Sequence, residues 1–149
     1  MNKSGTSLSE KEILNIINIV EKDLLHKTKI PFTLNSKWNL NFPDQAGVYA
    51  GFVNSKLIYI GETGNIKARM KDLRRTYNHS LRKKIGKLKL NGILEGNKYS
   101  EEIEAQLDSF MIKNLTITAH ALSFGRIEVE TRLIAKYKEQ LLNSPNKRG

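Results

Sequence analysis

The carboxylate of Glu130 lies where a carboxylate is least expected. On a helical projection at about 100° per residue with Ile127 at the origin, Ile134 falls at about 340°, Leu141 at about 320°, Tyr137 at about 280°, Leu133 at about 240° and Val129 at about 200°. Glu130 falls at about 300°, inside that apolar arc, whereas Glu128 at about 100° sits beside Arg132 and Glu139 on the wet face. Carboxylates avoid buried stripes unless they are paired or hold a metal. Glu130 is therefore half of a buried ion pair or a ligand for a hard cation.

Two phenols and an arginine add to it. Tyr49 and Tyr59 lie on two extended segments joined by a short turn. If Val53 pairs with Leu57, all odd positions share one face, which carries both tyrosines together with Gly47, Gly51 and Gly61. Phenols among glycines allow the backbone of a ligand to come close; ordinary sheet packing is the other reading. Arg69 borders the apolar stripe of the next helix, where Lys67, Lys71 and Arg74 do not, and a guanidinium there can fork onto phosphate oxygens.

The elements that must position these groups follow from pattern. Ser9 and Glu12 form a capping box ahead of Ile13, Ile16, Ile17, Val20 and Leu24, which predicts an amphipathic helix over 9–26. Pro31 and a polar linker around Asn35–Lys37 follow. Residues 46–53 and 57–61 are rich in β-branched and aromatic residues, with Asn54-Ser55-Lys56 as the turn, which reads as a β-hairpin. Asn65 is an N-cap for a helix over 66–75. Further helices are expected at 80–90, 101–113 and 126–142, and a third strand at 115–122, where His120 shares the parity of Thr116 and Thr118 and is structural. Without sustained strand–helix alternation, a doubly wound sheet is excluded in favour of an α+β fold: a small three-stranded antiparallel sheet flanked by helices. The expected organisation is an N-terminal helix and linker, 1–43, packed on a domain spanning 44–149. That helix dimerises or caps the sheet, so a homodimer stays open.

Composition narrows the chemistry. The 149 residues carry 25 basic and 15 acidic side chains, a net +10, with no cysteine. Disulfides, thiolate nucleophiles and cysteine-ligated zinc or iron are excluded. The absence of cysteine fits a reducing, cytoplasmic setting. No apolar run approaches a membrane span, and the first residues show no secretory signal, so a membrane is not an expected partner. Between Lys67 and Lys89 stand ten basic residues and one acid, Asp72, a local +9. Such density is a footprint for a polyanion, with Lys67, Lys71, Arg74, Arg75, Arg82, Lys83, Lys84 and Lys87 as the contacts. A solvated helix face is the plainer reading.

Gly47-Val48-Tyr49 and Tyr59-Ile60-Gly61, the second tyrosine ten residues after the first, resemble the paired signature of the GIY-YIG endonuclease family, with Val48 in place of isoleucine. Arg69, eight residues after Gly61, stands where that family carries its arginine. Glu130, opening Glu-Thr-Arg-Leu-Ile, is similar to the family's late helical glutamate. An asparagine near a proline follows. Asn143 precedes Pro145 and Asn146 follows it, and spacing from Glu130 favours Asn143. The resemblance covers residues 46–146.

The resemblance implies a metal-dependent DNA endonuclease that hydrolyses phosphodiesters. Tyr49 would activate or orient water, Tyr59 would line the site, Arg69 would stabilise the phosphate, and Glu130 would be the one protein ligand to Mg²⁺ or Mn²⁺. A phenol with a pKa near ~10 is a poor base at neutral pH and needs positive charge or a second base nearby. Some members, including restriction-type ones, place a histidine in the region of His79. A neutral imidazole there could take a proton from Tyr49 or from water. A DNA-contacting or surface histidine is the alternative. Compact size together with His79 favours a restriction-like role, with repair-like and mobile-element roles left open.

Other nuclease designs fail by count. His26, His79 and His120 are too scattered for a ββα-metal site, and Pro43-Asp44 with Glu62-Thr63-Gly64 lacks the lysine of a Pro-Asp…Glu-x-Lys nuclease. No phosphate-binding Gly-x-x-x-x-Gly-Lys loop is present. A non-catalytic nucleic-acid-binding module on the same fold is the principal alternative, because charge alone supports it equally. A small RNA-binding protein ranks third: aromatics are few, Trp38 is the one tryptophan, and basic and aromatic residues are not interleaved.

Overall fold

Gly47–Val53 alternates its side chains between two apolar layers, and the chain is built around that strand. A computed structural model describes residues 9–143. In chain order the elements are α1 (Glu10–His26), β1 (Ile30–Pro31), β2 (Gly47–Val53), β3 (Lys56–Thr63), α2 (Ile66–Lys71), α3 (Ser80–Leu90), α4 (Glu101–Asn114), β4 (Leu115–Ala121) and α5 (Arg126–Tyr137). Single 3₁₀ turns lie at Trp38–Asn41, Asp72–Arg74 and Thr76–Asn78. The fold is α+β. The sheet is antiparallel in the order β1-β4-β2-β3 and has four strands rather than the three expected. The added strand is the two-residue β1, which sits at an edge, where Pro31 withholds no needed N–H from the ladder.

The hairpin differs from its expected register in a way that keeps both tyrosines on one face but puts Leu57 on the other. Asn54 and Ser55 both take positive φ, 52° and 70°, so two residues form the turn instead of three. Val53 therefore pairs with Lys56, not Leu57. A bulge at Ile58 then restores the expected parity, so that Gly51 faces Tyr59 and Tyr49 faces Gly61. Both tyrosines end on the same side of the sheet.

Each side has its own cover. Val48, Ala50, Phe52, Leu57 and Ile60 pack on Ile17, Val20 and Leu24 of α1 and on Val129 and Leu133 of α5. Helix α1 is thus a cap on the sheet. Its capping box forms as expected, with Ser9 Oγ accepting from the Glu12 N–H at 3.1 Å. It is pinned to β4 where Thr118 Oγ1 donates to the Leu24 carbonyl at 2.8 Å and His120 Nδ1 meets Asp23 at 2.7 Å. The tyrosine side packs on Ile66, Met70, Leu73, Leu81, Ile85, Leu107 and Met111. Phe32, Trp38 and Phe42 belong to that same cluster, so the boundary expected at residue 43 runs through a shared core.

Two helices are shorter than their periodicity predicts. Helix α2 stops at Lys71 and continues as a 3₁₀ turn. Helix α5 stops at Tyr137, and the chain beyond lies along the free edge of β3. Leu142 N–H donates to the Ile58 carbonyl at 2.7 Å, and Gln140 Nε2 donates to the Leu57 carbonyl at 2.9 Å. Pro145 and Asn146 lie outside the described residues. Among the described residues, no helix is long and apolar enough to cross a membrane.

Candidate functional site

Tyr49, Tyr59, Gly61, Glu62, Thr63, Arg69, Ser80 and Glu130 line one cleft of about 390 Å³. Four elements contribute to it: the β2–β3 hairpin, α2, the start of α3, and α5. Tyr49 reaches the cleft because the facing residue has no side chain. A Cβ on Gly61 would lie 2.7 Å from Tyr49 Cε1 and closer still to Cζ and Oη. The phenol ring therefore crosses β3 in the space that any other residue would fill. Tyr59 stacks beside it, with ring centroids 6.1 Å apart and an interplanar angle of 25°.

Arg69 is aimed by its helix start. Asn65 Oδ1 accepts from the Ala68 N–H at 2.8 Å, and its Nδ2 donates to Asp44 at 2.7 Å. The Ile66 N–H donates to the Gln45 carbonyl at 2.7 Å. One turn on, Arg69 Nη1 donates to the Asn78 carbonyl at 2.6 Å, with Asp72 at 3.9 Å. On α5, Val129 and Leu133 anchor the helix to the sheet, and Glu130, 4% exposed, faces the cleft.

Electrostatics keep the phenols neutral. Burial pushes Tyr49 far above the usual tyrosine range, and the neighbouring Tyr59 and Glu130 add to that; Arg69 beside it pulls the other way without winning. Tyr59 is raised for the same reason, chiefly burial, against hydrogen bonding to Ser80 and the charge of Arg69.

Glu62 is a cleft residue the sequence reading left without a role. It pairs with Arg126 Nε at 2.9 Å, and it lines the cleft as a second carboxylate beside Glu130. The pairing of a β3 acid with the first residue of a helix 64 positions on has no local sequence signature.

Three expected site residues sit elsewhere. Arg82, assigned above to nucleic acid, is 2% exposed. Its Nη2 pairs with Glu104 at 2.8 Å and Asp108 at 2.7 Å, its Nε donates to Thr76 Oγ1 at 3.0 Å, and its Nη1 donates to the Leu73 carbonyl at 3.3 Å. It is a buried tie between α3 and α4, not a contact for a phosphate. Asn143 does not line the cleft. Its Oδ1 accepts from the Ile60 N–H at 3.1 Å and its Nδ2 donates to the Ile60 carbonyl at 2.8 Å, so it completes the edge of β3 between Tyr59 and Gly61. His79 is buried and not at the surface; it caps α3 and stands T-shaped to Tyr49, 5.8 Å between centroids. Lys71, Arg75 and Lys87 are exposed, and Lys67, Arg74, Lys83 and Lys84 are partly exposed.

The donor set bears on a cation. Among the described residues no group of three or more His, Cys, Asp or Glu side chains converges. The cleft instead offers hard carboxylate oxygens from Glu130 and Glu62. Mg²⁺ is commonly held by one or two carboxylates, with water and substrate phosphate filling the rest of its octahedron, so these residues fit such an ion. No family model, no curated protein and no solved structure matches the chain.

Proposed function

We propose that the chain is a Mg²⁺- or Mn²⁺-dependent DNA endonuclease of the GIY-YIG type. The observation that carries this reading is the convergence of Tyr49, Tyr59, Arg69 and Glu130 in one cleft from positions 81 residues apart in sequence. Binding a polyanion alone requires no such combination.

Each side chain has a task in phosphodiester hydrolysis. Glu130 would hold the cation, and Glu62 would contribute a second oxygen if its pair with Arg126 opened. A bound divalent ion supplies Lewis-acid polarisation of the phosphate and acidifies a coordinated water. Arg69, fixed on the Asn78 carbonyl, presents its remaining N–H groups to the phosphate oxygens as negative charge builds on them. Tyr49 stays a neutral phenol in the free protein and orients the attacking water by hydrogen bonding. Tyr59 and Ser80 complete the wall. Lys67, Lys71, Arg74, Arg75, Lys83, Lys84 and Lys87 track the backbone of the duplex on either side.

Supercoiled plasmid incubated with the protein and Mg²⁺, beside a Glu130→Ala variant that still binds DNA, tests this. Nicked or linear product from the wild type alone is expected. Intact plasmid in both Mg²⁺ and Mn²⁺, with DNA binding retained, would replace the reading with a non-catalytic binding module.

A further inference from the structure

His79 precedes α3, and its side chain is 1% exposed. Its Nδ1 accepts the backbone N–H of Leu81 at 3.2 Å and so caps the helix. A ring nitrogen that accepts an N–H carries no proton itself, so in the neutral imidazole the proton sits on Nε2. Charging the ring would expel the cap bond and bring a cation into an apolar setting. Burial, then Arg69 and Arg82, accordingly hold His79 well below the usual histidine range. Nε2 is itself buried and has no hydrogen-bond partner among the described residues. The ring stands at 69° to that of Tyr49. His79 does not line the cleft, so it reaches a substrate only through Tyr49.

We infer that His79 is locked as the Nε2–H tautomer and positions Tyr49 through the edge-to-face contact of the two rings, with its N–H directed at the phenol ring, rather than acting as the proton acceptor of the reaction. A general base needs a free lone pair directed at the proton it takes. The lone pair on Nδ1 is engaged by Leu81, and Nε2 already holds a proton. A donor beside Tyr49 can instead rest on the phenol ring and hold it in its orientation toward the cleft. The tautomer stands on the geometry of the capped helix alone; the positioning role rests on the nuclease reading.

Two measurements test it. A long-range ¹H–¹⁵N correlation spectrum of the wild-type protein is expected to show a protonated Nε2 and an unprotonated Nδ1 for His79 throughout the neutral range. A protonated Nδ1, or two averaged nitrogens, would overturn the tautomer. The His79→Asn variant keeps a capping oxygen for α3 while removing Nε2–H. With circular dichroism confirming a folded chain, its kcat on plasmid is expected to fall about tenfold at unchanged KM, the scale of one hydrogen bond. A fall of ~10²–10⁴ at unchanged fold would identify a lost base and overturn the donor role. If the wild type cleaves no DNA but the spectrum shows Nε2–H, the positioning role falls with the nuclease reading and the tautomer stands.

Discussion

The absence of a side chain at Gly61 is what lets Tyr49 cross the strand and reach the cleft that Glu130 also lines. Adding a methyl group there drives a Cβ into the phenol ring. Gly61→Ala should therefore destabilise the chain by about 1–3 kcal/mol in denaturant titrations, as overpacking does, and swing the ring out of the cleft. Tyr49→Phe makes the complementary test. The ring still fills its place and only the phenol's hydrogen bonding with Arg69 is lost, so stability should fall by no more than about 1 kcal/mol. Cleavage should fall by ~10²–10³, the scale of one lost transition-state hydrogen-bonding group. Equal stability loss in both variants would mean the phenol serves packing only. Residue types and spacing pointed to the tyrosines, Arg69 and Glu130 because an unusual side chain on a regular lattice shows in one dimension. Glu62 and Asn143 did not show their places, since their partners, Arg126 and the backbone of Ile60, come from distant segments. The upward shift of the Tyr49 phenol was equally hidden: a sequence shows a neighbouring arginine but not the depth of burial that outweighs it.

Among elements, the hairpin and α3 teach opposite lessons. The hairpin turn is one residue tighter than its sequence suggested, and the bulge at Ile58 returned the strand to the expected parity from Tyr59 onward, so the faces of Tyr59 and Gly61 were read correctly while Leu57 lies on the opposite face from the one expected. In α3 the basic count misled. Arg82 lies on the buried side with Leu81, Ile85 and Gly86, and a helical projection of 80–90 would have marked it by the same reasoning that marked Glu130. Its partners Glu104 and Asp108 stand one turn apart on α4. Arg82→Met should destabilise the fold by about 3 kcal/mol, the lower end for breaking a buried ion pair, since both carboxylates retain some solvent contact. It should leave DNA affinity at the folded state unchanged. The pair also sets a pH dependence. Burial alone would raise Glu104, but Arg82, Thr76 and the Tyr99 N–H hold it below the usual glutamate range. A depressed folded value means that this stabilisation is present above an unfolded value of about 4.3 and is lost as pH falls through the folded one. Thermal unfolding from pH 6 downward should show that loss in the wild type, and a shallower one in Arg82→Met.

At the scale of the whole molecule, charge and stoichiometry make separable demands. With Arg82 neutralised inside and Arg69 turned to the cleft, the basic window leaves Lys67, Lys71, Arg74, Arg75, Lys83, Lys84, Lys87 and Lys89 for a polyanion. Each phosphate contact contributes about −0.9 to the slope of log K against log salt. Replacing Lys83, Lys84 and Lys87 by Gln should flatten that slope by at most about 1 per lysine, and a fluorescence-anisotropy titration at several salt concentrations reads it directly. Arg82→Met should not move the slope at all, which separates surface charge from buried charge in one assay. The number of clefts sets the product. On the nuclease reading, one Tyr49–Arg69–Glu130 cleft per chain presents one phosphodiester at a time, so a monomer would nick one strand per encounter. On supercoiled plasmid at limiting protein, nicked circles should accumulate first, at a rate proportional to protein concentration, with linear DNA following only after a second encounter. Linear DNA appearing without a nicked precursor, at a rate rising with the square of protein concentration, would mean that two chains cut together. The cleft would then be half of the working enzyme.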